Sequence, residues 1–311
     1  MQEQSSELEI RRPRRFDRWT LAHRATAVGF LALLWLGRFE WFPLFKGSAA
    51  ATRALNVLAF ADPLAALEAM LASRQATLTL LIAAGLPVVL YAFLGRAFCG
   101  WLCPLGLLLE LSNELRTRVN RFLRRRKLAL PDVALPRHTK YALLITFLVL
   151  SFAIQLPVFQ IVSPINALAR SVVFGPEAGL VLVGVIVAAE YVAPRAWCRA
   201  LCPLGALYSL IGRAALLRVQ IDQAREQAGK QCGLCTRSCP MGIAVLADHV
   251  QKGKAAIDDP ACTRCGMCID SCPRHTLHWG LSVRGAALVA RRQKSPAPVQ
   301  AGVDQTHAGW Q

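Results

Sequence analysis

Acidic residues are scarce in this sequence: 19 Asp and Glu stand against 36 Lys and Arg, a formal net charge of +17. Spread over a folded soluble surface, that surplus would point to nucleic acid. It is gathered instead beside apolar stretches, as Arg11, Arg12, Arg14, Arg15 and Arg18 before the first, and Arg116, Arg118, Arg121, Arg124, Arg125, Arg126 and Lys127 after the second. This placement argues against nucleic acid and for basic loops held on the cytoplasmic side of a membrane, against anionic headgroups. Histidine is also sparse. None of His23, His138, His249, His275, His278 and His307 lies well inside an apolar stretch, which argues against haem held between facing axial ligands. There is no P-loop, no Gly-rich dinucleotide fingerprint and no Ser/His/Asp arrangement in a recognisable context. The chain is therefore expected to move electrons and protons as an electron-transfer subunit, not to act as a stand-alone enzyme.

What is abundant is apolar surface: 54% of the residues are hydrophobic, with a mean hydropathy of +0.38, too apolar for an average soluble protein. A spanning helix needs about 20 mostly apolar residues. Residues 76–95 and 141–162 qualify without any acid, Lys, Arg or His. Residues 21–37 qualify only if His23 and Arg24 snorkel to the interface, and residues 178–193 carry Glu190 near their end. The first segment has a second reading as a cleaved signal peptide, with residues 47–51 as the small-residue region. Four spans with the basic runs inside put both termini in the cytoplasm, and residues 38–75 and 163–177 in outer loops.

The chain repeats itself. Asp62-Pro63-Leu64-Ala65-Ala66-Leu67 is echoed by Ser163-Pro164-Ile165-Asn166-Ala167-Leu168. An apolar stretch then leads to Phe98-Cys99-Gly100-Trp101-Leu102-Cys103-Pro104-Leu105-Gly106 in one copy and to Trp197-Cys198-Arg199-Ala200-Leu201-Cys202-Pro203-Leu204-Gly205 in the other. Two parallel copies of a helical hairpin, related by a pseudo-twofold axis along the membrane normal, would put both cysteine pairs at one depth.

Eleven cysteines cannot all pair as disulfides, and their spacings are those of metal ligands. Cys262, Cys265, Cys268 and Cys272-Pro273 form the bacterial ferredoxin run C-x2-C-x2-C-x3-C-P, in which the fourth cysteine serves the neighbouring cluster. A zinc ribbon would instead offer two separated CxxC pairs. Upstream, Cys232, Cys235 and Cys239-Pro240 repeat the run with Gly229 where its first cysteine belongs. One 4Fe-4S site is therefore complete, from Cys262, Cys265, Cys268 and Cys239. A second, from Cys232, Cys235 and Cys272, is one thiolate short. It has three open outcomes: a 3Fe-4S cluster, a 4Fe-4S cluster with a ligand from elsewhere, or none.

The membrane-edge pairs Cys99/Cys103 and Cys198/Cys202 are four apart, so on a helix each pair shares a face, and the following Pro weakens the helix and frees backbone groups. The four could meet as one cluster site, act as redox dithiols, or pack helices. The repetition speaks against packing, and the cluster is the reading favoured. Glu190 is either a proton acceptor for a quinol or a partner of Arg195 or Arg199. His275 and His278 read as surface residues beside a cluster, and Trp101 and Trp197 as interfacial aromatics.

These paired CxxxCP motifs followed by a ferredoxin-type module resemble the NapH/MauN family of membrane-bound ferredoxin-type proteins over about residues 20–280. The resemblance rests on Cys99, Cys103, Cys198, Cys202 and the runs from Cys232 to Cys239 and from Cys262 to Cys272. It implies a bacterial inner-membrane, multi-pass protein with a cytoplasmic ferredoxin-like domain. Such a protein carries electrons between the quinol pool or cytoplasm and a periplasmic redox system, with a soluble ferredoxin-type or cytochrome c-type partner. Its alternative is an accessory role, supplying electrons for maturation of a periplasmic redox enzyme. The expected organisation is a basic segment (1–20), a domain of four transmembrane helices as two repeated hairpins (21–215, repeats 40–115 and 141–212), a small α+β ferredoxin-like domain (216–282) and a disordered tail (283–311).

Overall fold

The computed structural model describes residues 18–36, 45–47, 51–54, 58–75, 77–124, 126, 135–174, 179–222 and 232–281. The basic run from Arg11 to Arg15, Gly229 and the expected tail lie outside the described residues.

Helix α1 (Arg18–Leu36) precedes a short antiparallel sheet of β1 (Phe45–Gly47), β2 (Ala51–Ala54) and β3 (Leu58–Ala61). The first repeat comprises α2 (Pro63–Ser73), α3 (Leu78–Leu94), a cysteine turn on α4 (Ala97–Trp101) and α5 (Pro104–Arg124). Helices α6 (Thr139–Ile154) and α7 (Val158–Val162) lead into the second repeat: α8 (Pro164–Phe174), α9 (Gly179–Ala189), a π-helical turn (Trp197–Leu201) and α10 (Pro203–Ile211). A C-terminal module follows, with β4 (Leu217–Ile221), α11 (Leu234–Arg237), a second π-helical turn (Val245–Val250), α12 (Met267–Asp270) and β5 (Leu277–Leu281). Strands β4 and β5 pair antiparallel with Val219 opposite Trp279, so one two-stranded ribbon ties the module's first and last segments together.

The helical part departs from four simple spans. The stretch 141–162 is broken where Gln155 takes φ +60° and Pro157 follows; a left-handed residue and a missing N–H both end a helix. The expected outer loops contain α2 and α8, 11 residues each, which bury Leu64, Glu68, Ile165 and Ala169. Their starts read as interruptions of apolar runs, yet Asp-Pro and Ser-Pro are an N-cap followed by N1 proline. Asp62 Oδ2 accepts from Ala65 N–H at 3.3 Å, and Ser163 Oγ from Asn166 N–H at 3.4 Å. Among the described residues, no single helix is long and apolar enough to cross a membrane.

His23 and Arg24 do not snorkel outward. Glu110 of α5 draws both inward, accepting from Arg24 Nε at 2.7 Å and lying 2.8 Å from His23 Nε2. Asp270 of the C-terminal module accepts from the backbone N–H groups of Trp19 and Thr20, each at 3.0 Å, satisfying free donors at the start of α1. Helix α1 is thus held by both the helical body and the C-terminal module. Helix α5 stays at this same end, since Arg116 Nε donates to the Tyr191 carbonyl just beyond α9 at 3.1 Å. Its exposed residues include Arg118 and Arg121 together with Leu111, Leu115 and Phe122.

Two apolar cores result. One gathers Leu64, Leu105, Leu109, Phe159, Ile165, Leu204 and Tyr208. The other gathers Val219, Ile221, Met241, Ile243 and Leu277 in the module, and Cys198 packs against both.

Candidate iron-sulfur site

The two cysteine turns have the same internal geometry. Cys103 N–H donates to the Phe98 carbonyl at 2.9 Å and Cys202 N–H to the Trp197 carbonyl at 2.8 Å, five residues back in each case. The proline after each second cysteine starts a new helix, so Cys103 and Cys202 stand at the entry to α5 and α10. Cys202 Sγ accepts from Gly205 N–H at 3.3 Å, and Gly106 N–H serves Cys103 likewise. Helix N-termini favour a thiolate over a thiol.

All four of these cysteines line one cavity of about 750 Å³, counting its open mouth. Arg96, Arg195, His23 and Glu110 line it too. Arg96 is only 1% exposed, and the Nε atoms of Arg96 and Arg195 have no hydrogen-bond partner. Two buried guanidiniums with idle donors require negative charge nearby. Arg96 was not singled out in the sequence and Arg195 only as a partner for Glu190, although a signal existed: the repeat extends upstream as Arg96-Ala97-Phe98-Cys99 and Arg195-Ala196-Trp197-Cys198. Glu190 accepts from the Arg195 backbone N–H, so it fastens this turn.

In the module, Cys239, Cys262, Cys265 and Cys268 line a second cavity of about 360 Å³. Cys232 and Cys272 lie in electrostatic reach of Cys235. The two runs have matching backbones: Gly233 and Gly266 take φ +67° and +80° before α11 and α12. The serines before Cys239 and Cys272 meet at 2.6 Å between their Oγ atoms. Among the described residues, no group of three or more His, Cys, Asp or Glu side chains is poised to hold a single metal ion.

Burial pushes the Cys265 thiol up to about 12 and Cys268 well above its usual range, with neighbouring thiols adding to the shift; burial also lifts Cys262 and Cys239. Thiols so placed ionise when cations occupy the space between them, since a coordinated thiol loses its proton outright. An all-sulfur donor set around a cavity suits iron-sulfur ligation.

The module sits directly on the cysteine turns. Trp101 Nε1 donates to the Arg264 carbonyl at 2.9 Å and Arg96 Nη1 to the Ala261 carbonyl at 3.3 Å. Gly95, at φ +71°, lets Arg264 pass: a Cβ there would lie 1.1 Å from Arg264 Nη1. A Cβ on Gly100, between Cys99 and Cys103, would meet the Thr263 carbonyl at 2.5 Å. Cys265 consequently lines both cavities.

Cysteine ligand runs on a mainly helical body, ending in a dicluster-type module, define a ferredoxin-type 4Fe-4S electron-transfer protein. Family comparisons agree. Residues 76–131 and 176–221 each match a 4Fe-4S binding domain, and residues 230–277 match a 4Fe-4S dicluster domain. The chain is 31% identical to the ferredoxin-type protein NapH of Haemophilus influenzae, over 72% of this chain and 75% of that one. It is 29% identical to the methylamine utilization ferredoxin-type protein MauN of Methylorubrum extorquens, over 72% and 76%, and 27% identical to NapH of Escherichia coli, over 73% and 76%. The chain belongs to the NapH/MauN ferredoxin-type 4Fe-4S protein family. No solved structure matches it.

Proposed function

We propose that this is a multi-pass inner-membrane subunit that carries electrons between the quinol pool or cytoplasm and a periplasmic redox system, with a soluble ferredoxin-type or cytochrome c-type partner. The observation that carries the reading is Cys265, which borders both the cavity of the four CxxxCP thiols and that of the complete ferredoxin run. Cys99, Cys103, Cys198 and Cys202 would hold one cluster; Cys239, Cys262, Cys265 and Cys268 a second. Cys232, Cys235 and Cys272 supply three thiols for another. Bound iron-sulfur clusters supply reversible one-electron transfer. The chain's own residues set the sites side by side, and bury them among apolar walls.

Membrane insertion is supported by the exposed apolar faces: Ile82, Leu86, Val89 and Phe93 on α3, Ile145 and Val149 on α6, and Val181 and Val185 on α9. Apolar surface of this extent marks contact with lipid or protein. The amphipathic α5 suits the headgroup layer on the module's side, which its Arg116, Arg118 and Arg121 would make cytoplasmic. Titrating the anaerobic, loaded protein in lipid nanodiscs with a short-chain quinol tests the donor, read by visible absorbance and EPR. Reduction supports the quinol link; clusters that stay oxidised with quinol but accept electrons from a cytoplasmic ferredoxin contradict it. That second result favours the accessory role in enzyme maturation, the reading supported by the MauN relatives, whose name attaches to methylamine utilization.

A further inference from the structure

The upstream run lacks its first cysteine, yet its three thiols keep the frame of a cluster site. Cys232 and Cys272 lie in electrostatic reach of Cys235. Thr236 serves Cys235 with both its backbone N–H and its hydroxyl, and that hydroxyl is itself fixed, accepting from Leu246 N–H at 3.0 Å. Thr276 is 5% exposed, and its Oγ1 lies 3.1 Å from Cys272 Sγ, placed to donate to a thiolate. The complete site has the same device, since the Thr263 hydroxyl serves Cys265. Hydroxyls held against sulfur favour the ionised ligand over the thiol, which cysteines that only pack do not need.

A fourth protein ligand is what this site lacks. Gly229 stands where the run calls for cysteine, and residues 222–231 contain neither cysteine nor histidine. The eight other cysteines line the cavities of the other two sites. The four acids between Cys232 and Cys272 are engaged elsewhere: Asp270 caps α1, Asp248 and Asp258 accept from Lys252 and Lys254 at 2.9 and 2.8 Å, and Asp259 accepts from Ala261 N–H at 2.7 Å. His249 sits beside Asp258, while His275 and His278 are exposed. Three thiolates do not fit a four-thiolate cluster. The match of residues 230–277 to a 4Fe-4S dicluster domain therefore describes the ligands of one of the module's two sites, not of both.

We infer that Cys232, Cys235 and Cys272 hold a 3Fe-4S cluster, so that the module carries one four-iron and one three-iron centre. The inference rests on reading these thiols as cluster ligands and is independent of the electron donor. The structure also gives the centre its place in the series. Cys265 borders the CxxxCP cavity, whereas Cys268 of the same complete site is in electrostatic reach of Cys235. The three-thiol site thus stands beyond the complete one, as the next centre after it. Cluster type is one of the determinants of reduction potential, so the module's two centres form separate couples with separate spectra.

The test uses full-length protein purified anaerobically in nanodiscs, with Mössbauer spectra and iron quantitation. A three-iron component is expected in the wild type before any oxidant is added, beside the four-iron component of the complete site. Gly229→Cys restores the run and is expected to convert the three-iron component into a four-iron one, with about one more iron per chain. Cys232→Ser is expected to remove the three-iron component, about three irons per chain, and to leave the complete site's spectrum unchanged; this variant decides the matter if Gly229→Cys does not fold. Four-iron spectra at both sites of the wild-type module would overturn the inference, whichever residue supplied the fourth ligand. A three-iron component that arises only on oxidation, or one that survives Cys232→Ser, would overturn it as well, as would a module with a single cluster. No quinol enters these measurements, so their outcome is separate from that of the donor titration.

Discussion

Arg96 and Arg195 show how a residue's chemistry can hide behind its composition class. In a sequence with 36 Lys and Arg, single arginines carry little signal of their own. In the structure these two are buried, line the cavity of the CxxxCP thiols and have idle Nε donors. A cubane with four thiolates carries net negative charge that grows on reduction, so each guanidinium favours the reduced form. A unit charge within about 10 Å at an effective dielectric near 20 is worth ~1.7 kcal/mol, or roughly 70 mV for one electron. Arg96→Leu is therefore expected to lower the midpoint potential of the CxxxCP site by about that amount, and Arg96→Lys to restore most of it. Redox titration followed by EPR measures the shift, and an unmoved potential in Arg96→Leu would remove the countercharge role. Of the two readings of Glu190, a proton acceptor or a partner of Arg195 or Arg199, its geometry favours the second, since it accepts from the Arg195 backbone N–H.

At the scale of elements, the ferredoxin run was readable because ligand spacing is a local code. In that run three cysteines serve one cluster and the fourth serves its neighbour, and the described geometry gathers Cys239 with Cys262, Cys265 and Cys268. The CxxxCP repeat was readable for the same reason. The helices between were less so. Hydropathy registers apolar runs but not where they break, and so α2 and α8 passed as loops, while Gln155 and Pro157 divided a stretch that looked continuous. His249, on the π-helical turn of the module, gives this scale its own prediction. It is 3% exposed, and its Nδ1 lies 3.2 Å from Asp258 Oδ1 without the alignment of a hydrogen bond. Burial, aided by Lys254 and opposed by Asp258, Asp259 and Asp248, holds the imidazole below its usual range. The unfolded chain then binds more protons than the folded one. Stability from this group is present above about pH 6.5 and is lost as pH falls from there towards the depressed folded value. Thermal loss of iron-sulfur absorbance should move to lower temperature between pH 7.5 and pH 5.5, and His249→Gln should flatten that dependence; an equal slope in the variant would assign the acid sensitivity elsewhere.

Across the whole molecule, the module and the helical body are joined through the cysteine turns themselves. Gly95 makes room for the Arg264 side chain and Gly100 for the Thr263 backbone, Trp101 and Arg96 donate to the Arg264 and Ala261 carbonyls, and Asp270 of the module caps α1. Little of this was legible in advance, because contacts between residues more than 150 positions apart leave no periodic trace in a sequence. They convert two motifs that could each be read alone into one stacked arrangement, which is the central claim. Iron quantitation with EPR on anaerobically purified wild type and the Cys99→Ser/Cys198→Ser double variant tests it most directly. The double variant should lose about four irons per chain and keep the signal of the Cys239, Cys262, Cys265 and Cys268 cluster. Unchanged iron, with altered thiol titration alone, would mean that the four membrane-edge cysteines are dithiols and that no cluster stands beneath the module.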